Sequence, residues 1–374
     1  MKVLLLSAYD AASHRHWRQT LVAQFPEWDW QVLTLPARYF AWRIRGNSLS
    51  WAFGQRELLE QPYDLVIATS MTDLSALRGM VPVLAQIPTL VYFHENQFAY
   101  PESGREYGSV EPKVLNIYTA LAADYVLFNS GYNRNSFLAG AQVLLKKMPD
   151  QVPAGLIERL QARSSVLPVP LNIEQSHPSR IWPDDTLGAA TDRPLRILWA
   201  ARWEFDKGPD RLRLILNALE QRGLNYRLAL LGERFRHSPK EFEQIGQAFS
   251  HRLDQFGFAE SRTEYLSWLR GADLVLSTAT HEFQGLAVLE AVAQGCVPVL
   301  PARQVYPELF APEYLYPSMG DADTASEAEQ AADLITAWDV KRRTEGLTAP
   351  DVSRFSWKVQ REAYLKVVTE VASR

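Results

Sequence analysis

The feature that most constrains this chain is an alternation run twice. Short apolar runs of strand length alternate with segments of helical period, and a proline-rich stretch separates the two rounds. In the first round Lys2–Ser7 and residues 31–35, 64–70, 88–93 and 124–130 read as strands. Helical patterns fall at residues 13–25, 75–85, 112–122 and 133–147. Apolar strands alternating with helices predict βαβ units and a parallel sheet covered on both faces. Residues 168–194 then hold five prolines, at 168, 170, 178, 183 and 194, among polar neighbours. That composition predicts a linker. The second round has strands at 195–201, 226–232, 273–279 and 296–300, and helices at Pro209–Gln221 and residues 240–253, 263–270 and 285–294. A last helix is expected from about 356 to the end. The fold class is therefore α/β, with two Rossmann-like doubly wound domains facing a cleft. The expected boundaries are 1–170 plus the last helix, a linker at 171–194, and 195–355. In open α/β sheets ligands sit at the carboxyl ends of strands.

The 374 residues carry a formal net charge of -4 and one cysteine, Cys296. One cysteine excludes an internal disulfide framework and a cysteine-cluster zinc site, and fits a reducing, cytoplasmic compartment. The apolar run at residues 3–6 is too short for a signal peptide or a membrane span, so no membrane partner is expected. The acidic balance argues against a charge-driven, indiscriminate nucleic-acid binder. Residues 13–56 depart from that mean. They hold six Arg against two acids, with nine aromatics interleaved. Splayed RNA bases stack on aromatic and Arg planes while phosphates bind Arg, so this mixture suits single-stranded or loop RNA. The competing reading is that several of these aromatics are core.

Three junctions carry candidate chemistry. At residues 277–292 a strand ends and a helix starts near Gly285, where free backbone N–H groups suit a phosphate. Glu282 and Glu290 frame that junction. A lone carboxylate in an apolar helix needs donors; ribose hydroxyls would serve, and so would protein groups. At residues 199–209 Arg202 and Lys207 bracket another strand–helix loop. They either converge on one anion or pair with Glu204 and Asp206. At the end of a strand in the first half stands His94-Glu95-Asn96, where His94 either holds a sugar hydroxyl, acts on a proton, or is structural. There is no G-x-G-x-x-G after the first strand, no P-loop and no His-Glu-x-x-His. Asp321-Ala-Asp323 is weak evidence for a metal-dependent sugar-nucleotide site.

Arg-x4-Lys and Glu-x7-Glu in one half and a histidine loop in the other resemble the retaining GT-B glycosyltransferases of the family 4 type. Further motifs narrow this. They are Thr34-Leu-Pro-Ala37 with Trp42-Arg43, Phe93-His94-Glu95-Asn96-Gln97 with Tyr100-Pro101, Phe128-Asn129-Ser130, Leu231-Gly232-Glu233, His281-Glu282-Phe283 and Tyr306-Pro307-Glu308. Together they resemble the tRNA-queuosine mannosyltransferase family, also called glycosyltransferase-like domain-containing protein 1. One departure is the first loop, Asp10-Ala-Ala-Ser13-His14, where that family has small glycines.

The resemblance implies a GDP-mannose donor, no metal cofactor, and queuosine of aspartate tRNA as acceptor. It implies catalytic roles for His94, Glu282, Arg202 and Lys207. Donor binding would fall to Arg202, Lys207, Gly232, Glu233, Phe283, Gln284, Gly285, Leu286 and Glu290. RNA or acceptor contact would fall to Ser13, His14, Arg38, Trp42, Arg43, Arg45, Asn96 and Asn129. The alternatives are a GT-B enzyme acting on a lipid or glycan, a GT-B sugar-nucleotide epimerase, and a non-catalytic nucleotide- or RNA-binding protein.

Overall fold

The computed structural model describes residues 1–100, 110–172, 182–183, 193–234 and 238–374. The chain divides into two compact units, residues 1–172 with 355–374, and residues 173–354.

Unit 1 is built on a six-stranded sheet. Its strands are β1 (Lys2–Ser7), β2 (Asp29–Thr34), β3 (Leu65–Thr69), β4 (Thr89–Phe93), β5 (Tyr125–Phe128) and β6 (Ser164–Val166). The order is β2-β1-β3-β4-β5-β6, and every pairing is parallel. Leu4, Leu5 and Leu6 on β1 are fully buried. Each contributes about 1.5–3 kcal/mol relative to exposure. Because both faces of the sheet are covered, the strand reads as a continuous apolar run and not as an alternation.

The helix Trp357–Ala372 belongs to this unit. Its Tyr364 hydroxyl accepts from the Trp17 indole at 3.1 Å and donates to the Pro168 carbonyl at 3.0 Å.

Unit 2 repeats the plan. Its strands are β7 (Leu195–Ala200), β8 (Tyr226–Leu231), β9 (Leu253–Gly257), β10 (Leu274–Leu276), β11 (Val297–Pro301) and β12 (Leu315–Tyr316). The order is β12-β11-β10-β7-β8-β9, again all parallel. Most of the expected linker lies outside the described residues. Its Trp182 is buried in unit 2, where the indole donates to the Trp268 carbonyl at 3.1 Å.

Several elements differ from the sequence reading. The helix expected over 75–85 stops at Met80 and resumes as a 3-10 turn, Pro82–Gln86. Pro82 lacks an N–H and forces Val81 out of the helical region. The helix expected over 240–253 is Glu241–Ala248, and Leu253 instead opens β9 against β8. The longest helices that carry no expectation are Phe40–Gly54 and the 21-residue Thr324–Thr344; the short helices Arg56–Leu59, Leu156–Ala162 and Tyr306–Leu309 carry none either. The helix Thr324–Thr344 also accounts for the Asp-x-Asp. Asp323 caps it by accepting from the Ser326 N–H at 2.9 Å, and Asp321 pairs with Arg211 at 2.5 Å. Neither carboxylate is arranged as a metal ligand, and no metal-ligating cluster occurs among the described residues.

No helix among the described residues is long and apolar enough to cross a membrane.

Candidate active site

The second unit gathers Lys207, Glu282 and Gly285 at the carboxyl edge of its sheet. The loop after β7 turns through Gly208, at φ 64°. A Cβ there would stand 2.1 Å from the Thr278 carbonyl oxygen, so only glycine lets the two loops approach this closely. Thr278 locks them together. Its hydroxyl donates to the Lys207 carbonyl at 2.7 Å and accepts from the Trp199 indole at 2.9 Å.

The Lys207 side chain is thereby driven into the interior, 11% exposed. Its Nζ donates to the His281 carbonyl at 3.0 Å and meets a Glu282 carboxylate oxygen and Asp206 Oδ2, each at 3.2 Å. Burial opposes the ammonium charge, but the two carboxylates outweigh it and hold the Lys207 pKa above its ordinary value. Burial likewise works to raise the Glu282 carboxyl. The Lys207 charge and a Gly285 N–H overcome it, so the Glu282 pKa lies below its ordinary value. At neutral pH the pair is ionic.

Glu282 keeps a quarter of its side chain exposed, so it presents a fixed charge to whatever enters. Gly285, at φ 71°, starts the helix Leu286–Ala293 and leaves its first N–H groups for an anion. Phe283 and Gln284 are buried beneath that turn. A cavity of about 20 Å³ beside Lys207, Glu282 and Gly285 is large enough for one water. A nucleotide would therefore lie over the rim and not inside the unit.

Arg202 is 45% exposed and pairs with Glu204 at 3.1 Å. The expectation that Arg202 and Lys207 converge freely on one anion is thus changed. Arg202 remains on the surface of the loop, whereas Lys207 is committed to a buried network. Glu290 is also provided for: Arg262 donates to one oxygen at 2.7 Å and the Tyr265 hydroxyl to the other at 3.0 Å. A ribose would be a further partner and not the sole one. Gly232 is a close-approach glycine, its Cβ position only 1.9 Å from the Ala201 carbonyl oxygen. Glu233 beside it is exposed, and its carbonyl accepts from the Trp203 N–H.

The first unit centres on His94, one residue beyond β4. Its ring stacks on His14 at 4.1 Å and meets Trp17 and Tyr92. Burial, with the neighbouring His14 and His16, pushes the His94 pKa well below the ordinary histidine value. The ring is neutral at physiological pH and can hydrogen-bond without carrying a charge. His14 Nε2 lies 3.0 Å from Glu95 Oε2. Among the described residues, His14 Nδ1 and His94 Nε2 have no hydrogen-bond partner. Such buried, unmatched atoms are costly unless a ligand meets them.

Four residues expected on an RNA face are interior instead. His14 is 1% exposed, Arg43 8%, Asn96 0% and Asn129 5%. Asn129 donates to the His94 carbonyl at 2.8 Å, and Asn96 donates to the Asn133 carbonyl and side-chain oxygen at 3.0 and 2.8 Å. These amides shape the histidine loop, because an unpaired backbone carbonyl inside a protein is expensive. Asn133, which sequence reasoning missed, binds the Phe93 carbonyl at 3.0 Å and joins Asn96 to Asn129. Its signal was the Ser130 cap three residues before it. Ser13, Arg38, Trp42 and Arg45 do face solvent, with Arg45 held by Asp73 and Glu111 at 2.8 and 3.1 Å.

Two Rossmann-like parallel sheets, with a lysine–glutamate pair and a glycine-started helix at one carboxyl edge, are the architecture of the GT-B fold. Solved structures agree on the fold. Sucrose-phosphate synthase from Thermosynechococcus elongatus matches with a TM-score of 0.65 at 15% identity, covering 100% of this chain and 99% of that one. Anabaena HepE in complex with UDP and glucose matches with a TM-score of 0.62 at 15% identity, covering 98% of each.

Residues 2–171 match the family model for the tRNA-queuosine alpha-mannosyltransferase N-terminal region, and residues 188–338 match that for glycosyl transferases group 1. A tRNA-queuosine alpha-mannosyltransferase of Drosophila melanogaster is 35% identical over 84% of this chain and 83% of its own length. The chain belongs to the tRNA-queuosine alpha-mannosyltransferase family and is a hexosyltransferase. A GDP-mannose-dependent alpha-(1-6)-phosphatidylinositol dimannoside mannosyltransferase of Mycobacterium tuberculosis is 25% identical over 60% of this chain and 53% of its own length.

Proposed function

We propose that this chain transfers mannose from GDP-mannose to queuosine in the anticodon loop of aspartate tRNA, with retention at the anomeric carbon. The observation that carries this reading is the 35% identity, across most of both chains, to a relative named as a tRNA-queuosine alpha-mannosyltransferase. The GDP-mannose dependence of the mycobacterial relative supports the donor.

In this reading the nucleotide sugar lies on the second unit. The Glu290 carboxylate receives the ribose hydroxyls beside Arg262 and Tyr265. Arg202, Lys207 and the first N–H groups of the helix from Leu286 stabilise the departing diphosphate, while the Phe283 and Gly285 N–H groups hold Glu282. Fixed positive groups aimed at developing charge do this without reorganising, and they supply here what a metal ion supplies elsewhere. Gly232 and Glu233 line the base side. Glu282 accepts from sugar hydroxyls in the second unit, and His94 serves in the first as a neutral hydrogen-bonding ring. The anomeric C–O bond breaks with its electron pair going to the phosphate oxygen. The acceptor hydroxyl bonds to the same face of the carbon, and its proton passes to that phosphate oxygen. Arg38, Trp42 and Arg45 contact the RNA, while His14, Asn96 and Asn129 act by holding the His94 loop.

The test is nucleoside mass analysis of queuosine-containing aspartate tRNA after incubation with the protein and GDP-mannose. The queuosine nucleoside is expected to gain one hexose. An unmodified nucleoside with the sugar recovered on lipid or water refutes the reading.

A further inference from the structure

The helix Phe40–Gly54 is buried on one face only. Ile44, Asn47, Ser48 and Trp51 point inward. Trp42, Arg45, Leu49 and Phe53, spaced three or four residues apart, form the opposite stripe, with Trp42 57% and Phe53 75% exposed. Large exposed apolar side chains set around an arginine on one helix face mark a contact site.

The geometry at its start is specific. The Trp42 indole lies against Gly46, where a Cβ would stand 2.3 Å from a ring carbon. One ring face therefore rests on the helix backbone and the other is open. The Trp42 backbone N–H donates to the Tyr39 carbonyl, which places Tyr39 one turn away. Tyr39 is 72% exposed in the left-handed region, and the Arg38 guanidinium sits 5.6 Å over its ring. Residues 38–54 contain three arginines and no acid. Of these, Arg43 is interior and Arg45 is paired with Asp73 and Glu111, which leaves the exposed Arg38 beside the two rings. Flat, open rings beside an exposed guanidinium complement a polyanion with exposed bases.

We propose that Trp42, seated flat on Gly46, is a stacking platform for one unpaired anticodon-loop base, and that Arg38 and Tyr39 hold the adjacent nucleotide. This rests on tRNA being the acceptor. Stacking on a flat indole is sequence-tolerant, so the platform fixes the position of the loop while queuosine itself is chosen elsewhere.

The experiment measures binding of a queuosine-containing anticodon stem-loop by full-length protein, with KM for tRNA alongside. Base–aromatic stacking predicts that Trp42→Ala weakens binding by about 5- to 150-fold. Trp42→Phe keeps most of the affinity, and Gly46→Ala loses part of it because the ring must lift. Trp42→Ala leaves the salt slope of binding unchanged, while Arg38→Gln lowers it by about 0.7–0.9. KM for GDP-mannose does not move in any of them. Wild-type affinity and tRNA KM in Trp42→Ala overturn the proposal, as does loss confined to binding of anionic phospholipid vesicles. If wild-type protein transfers no mannose to queuosine tRNA, the acceptor assignment itself fails, and that result is distinct from a failure of the platform.

Discussion

Replacing Lys207 by methionine keeps the length of the side chain and removes its charge. Two carboxylates, Asp206 at 2% side-chain exposure and Glu282 at 25%, then face each other without a cation. At 3.2 Å each attracts the ammonium by about 5 kcal/mol at an effective dielectric of about 20. Desolvation of the lysine in the wild type offsets much of that. Breaking a buried pair from one side costs about 3–5 kcal/mol, and the partial exposure of Glu282 places this case near 3 kcal/mol. The assay is urea unfolding followed by tryptophan fluorescence, since Trp199 and Trp203 are buried in this unit.

The sign with pH follows from linkage. Glu282 has a depressed pKa in the folded wild type, so its stabilising effect is full above the unfolded carboxylate pKa and is lost as pH falls through the folded value. Without Lys207 the folded Glu282 carboxyl binds a proton more readily, so the deficit of the variant shrinks on acidification. Glu282→Gln in the same chain should recover part of the loss at pH 7. A deficit below about 1 kcal/mol at neutral pH, unchanged on acidification, would refute the network as described.

Two further outcomes follow from the geometry. Gly208→Ala places a Cβ 2.1 Å from the Thr278 oxygen at a left-handed residue. It should cost about 2–5 kcal/mol in chemical denaturation and raise KM for the donor; a neutral variant means the loops can part freely. His94 has a folded pKa depressed by burial. Below about pH 6.5 the unfolded chain takes up a proton that the folded ring refuses, so stability falls by about 1.36 kcal/mol per pH unit until the folded pKa is reached. His94→Asn should flatten that slope by one proton, and an unaltered slope would place the charge change elsewhere.

The architecture was legible because the central strands, such as Lys2–Ser7, Leu65–Thr69 and Thr89–Phe93, are short and mostly apolar, whereas Ser164–Val166 and Leu253–Gly257 carry polar residues and left no such run to read. Pro209–Gln221 was readable to the residue, with proline at its start and Gly223 beyond its end. Phe40–Gly54 was hidden because its inward face includes Asn47 and Ser48, which interrupt the apolar period. Thr324–Thr344 was hidden because its inward stripe mixes three alanines with the charged Glu327, Asp339 and Arg342 and has only Ile335 and Trp338 as large apolar residues. At the site, residue type and strand-end position located Lys207, Glu282 and His94. They could not say which way a polar side chain turns. Arg43 and Asn96 therefore read as RNA contacts, although Asn96 is held within the His94 loop and Arg43 lies in the interior. Partners distant in sequence, such as Thr278 for the Lys207 carbonyl and Tyr265 for Glu290, leave no local pattern to read.

The central claim is tested most directly by labelled transfer. The protein is incubated with GDP-mannose carrying label in the sugar, against two otherwise identical aspartate tRNA preparations, one with queuosine at the wobble position and one with guanosine. The account predicts label in the queuosine tRNA alone, and none there with the Lys207→Met variant. Equal labelling of both preparations, or of neither, would contradict it.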